Sequence, residues 1–128
     1  RSPVPKFDAA GTFIGSSFCF CTARDFARFG LLYLRDGEWD GRRIVPANWV
    51  DYARIPTWRQ DGVTDDPYGA HWWLGLGGEG SFSANGHEGQ FIVVVPELDL
   101  IMVRNGRTPT ELKDQLKAWV GETVRLFT

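Results

Sequence analysis

The chain has 128 residues, of which 43% are hydrophobic and 23% charged, and a formal net charge of −2. That composition is globular rather than disordered, and the length fits one domain with a single modest core. The near balance of 14 basic and 16 acidic residues lacks the electrostatic footprint of a nucleic-acid or anionic-membrane binder, and no apolar run approaches a membrane span.

The N-terminal stretch RSPVPKFDAAGT has neither an initiator methionine nor the apolar core of a signal peptide, so it reads as the interior of a longer chain. The compartment is not legible from it. Residues 1–21 are rich in Pro, Gly and Ser and read as a loop, with a short extended stretch near Phe18 to Cys21. Cys19 and Cys21 stand two apart, a spacing unsuited to a mutual disulfide, and no second Cys/His pair stands at zinc spacing. Two reduced, structural cysteines are expected.

Thr22 followed by Asp25 resembles a capping box, and Ala23, Phe26, Ala27, Gly30, Leu31 and Leu34 recur at spacings of three and four. A helix is predicted there, ending near Arg35 with Gly37 as its stop. The twice-repeated Asp-Gly of DGEWDGRRIVP marks a turn-rich connection or small hairpin, after which Pro46 opens a short helix that Pro56 ends. Residues 57–67 read as a surface loop.

From Tyr68 the period changes to two, with Tyr68, Ala70, Trp72, Leu74 and Leu76 alternating against Gly69, His71, Trp73 and Gly75, which predicts a strand. Gly77-Gly78-Glu79-Gly80 breaks it. Further strands are predicted at residues 81–87, 90–95 and 100–104. The unbroken apolar run Phe91-Ile92-Val93-Val94-Val95 asks for cover on both faces of the sheet. Thr108, Pro109 and Glu111 form a second capping-box arrangement, leading into a helix with an apolar stripe at Leu112, Leu116, Trp119, Val120, Thr123 and Phe127. The expected fold is therefore α+β: two N-terminal helices, an antiparallel sheet of three or four strands, and a C-terminal helix packed on it. One domain spans 1–128, with loops and helices in 1–67 and the sheet plus last helix in 68–128.

Three groups of residues are candidates for chemistry. His87 sits in Gly86-His87-Glu88-Gly89, where it either meets a substrate or lies on a tight bend between strands. His71, His87, Glu79 and Glu88 match no metal-ligand spacing, so no metal or other cofactor is expected. Among the tryptophans, Trp72 and Trp119 fall on apolar faces, whereas Trp58 and Trp73 are expected to be the exposed pair. No Ser-x-x-Lys and no Gly-x-Ser-x-Gly occurs, so an activated serine of either type is not encoded.

Three blocks in order, TARDFARFGLLYLRDGEWDGRRIVPANWVDYAR, YGAHWWL and SFSANGHEGQFIVVVPELDLIMVRNG, resemble the C-terminal part of the serine β-lactamase-related hydrolases, a family of class C β-lactamases, DD-peptidases and related esterases and amide hydrolases. The resemblance runs from about Gly15 to Arg107. It implies that the Ser-x-x-Lys nucleophile lies upstream, in a portion this chain does not contain, and that His87-Glu88-Gly89 corresponds to the family's His-x-Gly motif on the cleft strand. His87 would then contact substrate or join the proton network, and Gly89 would let the acyl group lie against the strand. The Gln90 backbone N–H would be an oxyanion donor. Glu88 and Trp73 complete the expected substrate-binding set. Histidine in place of the family's lysine favours esterase or amidase activity over β-lactamase activity. The upstream strands and helices would also supply the missing cover for the valine-rich sheet.

The leading reading is thus a hydrolase portion that contributes the cleft strand without the nucleophile and acts on a small ester or amide in the full-length protein. A peptide- or glycan-binding module built on an aromatic cleft at Trp58, Trp73 and His87 is the alternative. Self-association, or pairing with the upstream portion, is expected of the exposed sheet edge.

Overall fold

A computed structural model describes residues 3–57 and 67–128. Helix α1 spans Ala23–Leu34, strands β1 (Glu38–Trp39) and β2 (Arg42–Arg43) form a small hairpin, and α2 covers Ala47–Ala53. The main sheet follows, with β3 (Trp73–Leu74), β4 (Phe82–Gly86), β5 (Gln90–Val95) and β6 (Leu100–Arg104) antiparallel in spatial order β3-β4-β5-β6. Helix α3, Lys113–Arg125, closes the chain. The α+β architecture, with a four-stranded antiparallel sheet, two N-terminal helices and a C-terminal helix on the sheet, agrees with the expectation from sequence.

Local chemistry explains most boundaries. The Thr22 hydroxyl oxygen accepts from the Asp25 N–H at 3.2 Å and caps α1, whose Arg28 pairs with Asp25 one turn on. Gly37, at φ 86, receives the end of that helix. The second predicted capping box is not formed. Thr108 Oγ1 accepts from Arg104 instead, one 3-10 turn fills Thr110–Leu112, and α3 starts only at Lys113.

The strand predicted over 68–76 is shorter than its alternation suggests. His71 takes φ 67, the Gly69 N–H donates to the Trp72 carbonyl at 2.7 Å, and Tyr68 folds back to bridge Trp73. A tight turn therefore occupies the first half of the pattern and leaves Trp73–Leu74 as β3. Gly75, at φ 86, ends it.

The sheet separates two apolar layers. Phe91, Val93 and Val95 of β5 face α3, where they meet Val120 and Val124. Phe82 and Val94 face the other way, packing with Trp72 and Ala53 against Tyr33 and Leu34 of α1. Residue Gly30 allows α1 to approach closely: a Cβ there would lie 3.0 Å from Ile92 Cγ2 and 3.1 Å from Ile101 Cγ2. The cover that the valine run demanded thus comes from α1 in this same chain, which corrects the expectation that an upstream portion supplies it.

Further corrections concern single residues. Trp119 is 46% exposed and Phe127 60%, because the buried line of α3 runs through Val120 and Val124 and the predicted stripe is wider than its contact with the sheet. Cys19 is exposed and only Cys21 is partly covered, its thiol pKa raised by burial and by the neighbouring Cys19 and Asp25. Residues 3–21 are not a plain loop but a ribbon: Val4 bridges Phe20 and Phe7 bridges Phe13, with the Asp8 carboxylate accepting from the Ala10 and Thr12 N–H groups at its tip.

Candidate active site

The connection from β4 to β5 is a single 3-10 turn, His87–Gly89, short because Gly86 pairs directly with Gln90. Glu88 sits in the left-handed region at φ 57, and Gly89 follows at φ 85. Two successive residues at positive φ turn the backbone sharply, and Gly89 bears this at no steric cost. A Cβ at Gly89 would also meet Leu116 Cδ2 at 2.4 Å and Arg104 Nη1 at 2.9 Å, so the glycine serves packing as well as conformation.

Beside this turn, on the α3 face of the sheet, lies a cleft of about 320 Å³. Its floor is apolar, formed by Trp73, Phe91 and Leu116, and its walls carry Asn85, Glu88, Gly89 and Thr108 together with Lys113 and Lys117 of α3. Trp73 is held by an edge-on contact with Tyr68, ring centroids 4.8 Å apart. The Glu88 carboxylate pairs with Arg107 Nε at 2.9 Å, and the mostly exposed His87 ring stands 3.9 Å from it.

The structure therefore brings Trp73, Glu88 and Gly89 into one cleft and leaves two expected site residues outside its lining. His87 is 93% exposed at its side chain, on the outer side of the bend. Gln90 turns its side chain to Gly106, accepting from the Gly106 N–H at 2.9 Å and donating back to its carbonyl. Trp58 lies outside the described residues. Sequence reasoning missed Asn85, Thr108, Lys113 and Lys117. The spacing of the two lysines, four apart on a helix, was the one available signal that they share a face.

Neither buried serine offers an accessible hydroxyl. Ser81 is 2% exposed and spends its Oγ on the turn, donating to the Gly78 carbonyl and accepting from the Gly77 N–H. Ser83 is fully buried between Trp73 and Val93 of the neighbouring strands, and its Oγ has no hydrogen-bond partner among the described residues. No group of three or more His, Cys, Asp or Glu side chains that could hold a metal occurs among the described residues.

An antiparallel sheet closed by α3 on one face and α1 on the other, with a cleft at the β4–β5 bend, is similar in fold to the C-terminal portion of the β-lactamase-related hydrolases. The 6-aminohexanoate-dimer hydrolase of Paenarthrobacter ureafaciens is 29% identical over 118 residues, covering 85% of this chain and 30% of that protein. A solved structure from Bacillus anthracis, itself only provisionally assigned as a 6-aminohexanoate-dimer hydrolase, superposes with a TM-score of 0.69 at 23% identity, over 93% of this chain and 33% of its own. The chain thus spans about a third of the length of these relatives. No family profile matches it.

Proposed function

We propose that this chain is the C-terminal portion of a serine hydrolase that cleaves a small ester or amide through an acyl-enzyme, and that it supplies one wall of the substrate cleft while the nucleophile comes from residues upstream. The observation that carries this reading is the cleft itself: Trp73 of β3 and the adjacent Glu88 and Gly89 of the β4–β5 bend meet on it from two parts of the sequence. Similarity to an enzyme named for hydrolysing 6-aminohexanoate dimer supports an amide with charged ends over a β-lactam. The apolar floor suits an aliphatic chain, and the lysines on one wall suit a carboxylate.

In this reading Gly89 allows close approach of the acyl group, Glu88 and Trp73 contact substrate, and the Gln90 N–H is a candidate oxyanion donor. His87, exposed on the outer side of the bend, is left to contact whatever part of the substrate extends beyond the cleft. Residues 1–128 form one domain of that larger enzyme. The purified 128-residue chain is expected to turn over neither p-nitrophenyl acetate nor nitrocefin, and the chain extended upstream through a Ser-x-x-Lys is expected to hydrolyse the ester. Ester turnover by the short chain would place the nucleophile here and overturn the reading. Calorimetric binding of peptidoglycan fragments by the short chain would favour the binding module instead, with Trp73 as its aromatic contact.

A further inference from the structure

Arg104 ends β6 on the α3 face of the sheet, directly across from Phe91. Its guanidinium donates from Nη1 to the Gly89 carbonyl at 2.5 Å and from Nη2 to Thr108 Oγ1 at 2.6 Å. No carboxylate stands within ion-pair distance of it among the described residues. Its guanidinium is thus given to two neutral acceptors, each a weaker partner than a carboxylate would be. Arg104 does not line the cleft, but both residues it holds do, and they belong to two segments that meet there: Gly89 on the β4–β5 bend and Thr108 on the stretch that leads into α3, with a Cβ at Gly89 falling 3.6 Å from Thr108 Cβ.

The surroundings are shaped to admit this group. A Cβ at Gly106 would fall 2.9 Å from Arg104 Cζ and Nη2, and a Cβ at Gly89 would fall 2.9 Å from Nη1. The guanidinium lies between two glycines, and at Gly106 no left-handed backbone angle calls for glycine. A side chain at Gly106 would instead compete for the space that the Arg104 head occupies. Gly106 is held in turn by the Gln90 side-chain amide, which bonds both its N–H and its carbonyl, while the Thr108 N–H donates to the Glu88 carbonyl at 2.9 Å.

We infer that Arg104 is a positioning residue, a strut whose two hydrogen bonds, beside the Thr108–Glu88 backbone bond, fix how the β4–β5 bend and the segment before α3 are oriented at the cleft, with Gln90 and Gly106 as its seat. Because the peptide unit is planar, fixing the Gly89 carbonyl also fixes the plane of the Gly89–Gln90 peptide, and so the orientation of the cleft edge. The geometric claim stands on the 128-residue chain alone; its catalytic consequence rests on the proposed hydrolase function.

The strut is tested first by NMR on that chain. In the wild type, Arg104 should show slowly exchanging, resolved Nη protons, with contacts between Gly89 and Thr108. Arg104→Lys, with one nitrogen for two acceptors, should lose those contacts, and so should Gly106→Ala, which keeps the arginine and displaces its head. Guanidinium chloride at millimolar concentration should return the Gly89 and Thr108 signals of Arg104→Ala toward wild type, which a general loss of stability would not allow. Unchanged contacts in both Arg104→Lys and Gly106→Ala would overturn the strut, as would failure of guanidinium to move the Arg104→Ala signals. In the upstream-extended chain, Arg104→Lys should lower kcat/KM for p-nitrophenyl acetate roughly tenfold to a hundredfold, by analogy with other small misplacements at reacting groups, with partial rescue by guanidinium. If the extended wild type proves inactive while the NMR result holds, the function falls and the strut stands. If that wild type is active and Arg104→Lys matches its kcat/KM, the catalytic consequence is wrong.

Discussion

Gly89 and His87 are neighbours on one bend with opposite physical standing. Gly89 combines φ 85 with neighbours, the ends of the Leu116 and Arg104 side chains, that a methyl group would displace. Gly89→Ala is expected to lower stability by about 1 to 3 kcal/mol, read as a fall in the urea midpoint, chiefly through backbone strain at its positive φ. His87→Ala removes a ring that is 93% exposed and should leave the midpoint within about 0.5 kcal/mol of wild type. A stability loss for His87→Ala as large as that of Gly89→Ala would mean that the ring packs inward. At this scale the sequence was partly informative. A glycine after His-Glu announced a bend, but the expectation of an exposed Trp73 does not hold: the register Trp73↔Ser83 and Ser83↔Val93 puts it on the Phe91 face, where it is half-buried. Arg104 was not legible as a site residue, because its reach to Gly89 depends on where β6 ends and on a turn fifteen positions away in the chain.

Among the elements, the helices and the long strands followed from period and caps, since their buried faces repeat at 3.6 or 2 residues whatever they pack on. Periodicity failed where turn chemistry competed with it. The alternation over 68–76 holds in the sequence, but His71 and Gly75 at positive φ cut the strand to two residues. It also could not tell which helix covers which face. That assignment depends on Gly30, whose missing side chain lets α1 settle onto Ile92 and Ile101. Gly30→Leu should therefore destabilise the chain by about 1 to 3 kcal/mol through overpacking, although leucine is the better helix former. Thermal unfolding followed by circular dichroism decides this. A raised midpoint would show that α1 can shift outward without cost and that its contact with the sheet is loose.

For the molecule as a whole, apolar exposure is unevenly distributed. Val4, Phe7, Phe13, Phe18 and Phe20 of the N-terminal ribbon are each 55–58% exposed, while the sheet between α1 and α3 is closed. Patches of this kind mark contact surfaces. The isolated chain is expected to associate as its concentration rises, and the double variant Phe7→Ser, Phe13→Ser to stay closer to monomeric, with light scattering as the measurement. Equal masses for both proteins across the range would remove the ribbon from any interface. The two-sided closure of the sheet also has a kinetic meaning. β5 is paired along both edges and covered on both faces, so its amide hydrogens can reach deuterated solvent only when the sheet itself opens. They should be the last to exchange in the chain, hours behind those of residues 3–21, and their rate would report the opening of this unit as a whole rather than the fraying of any part.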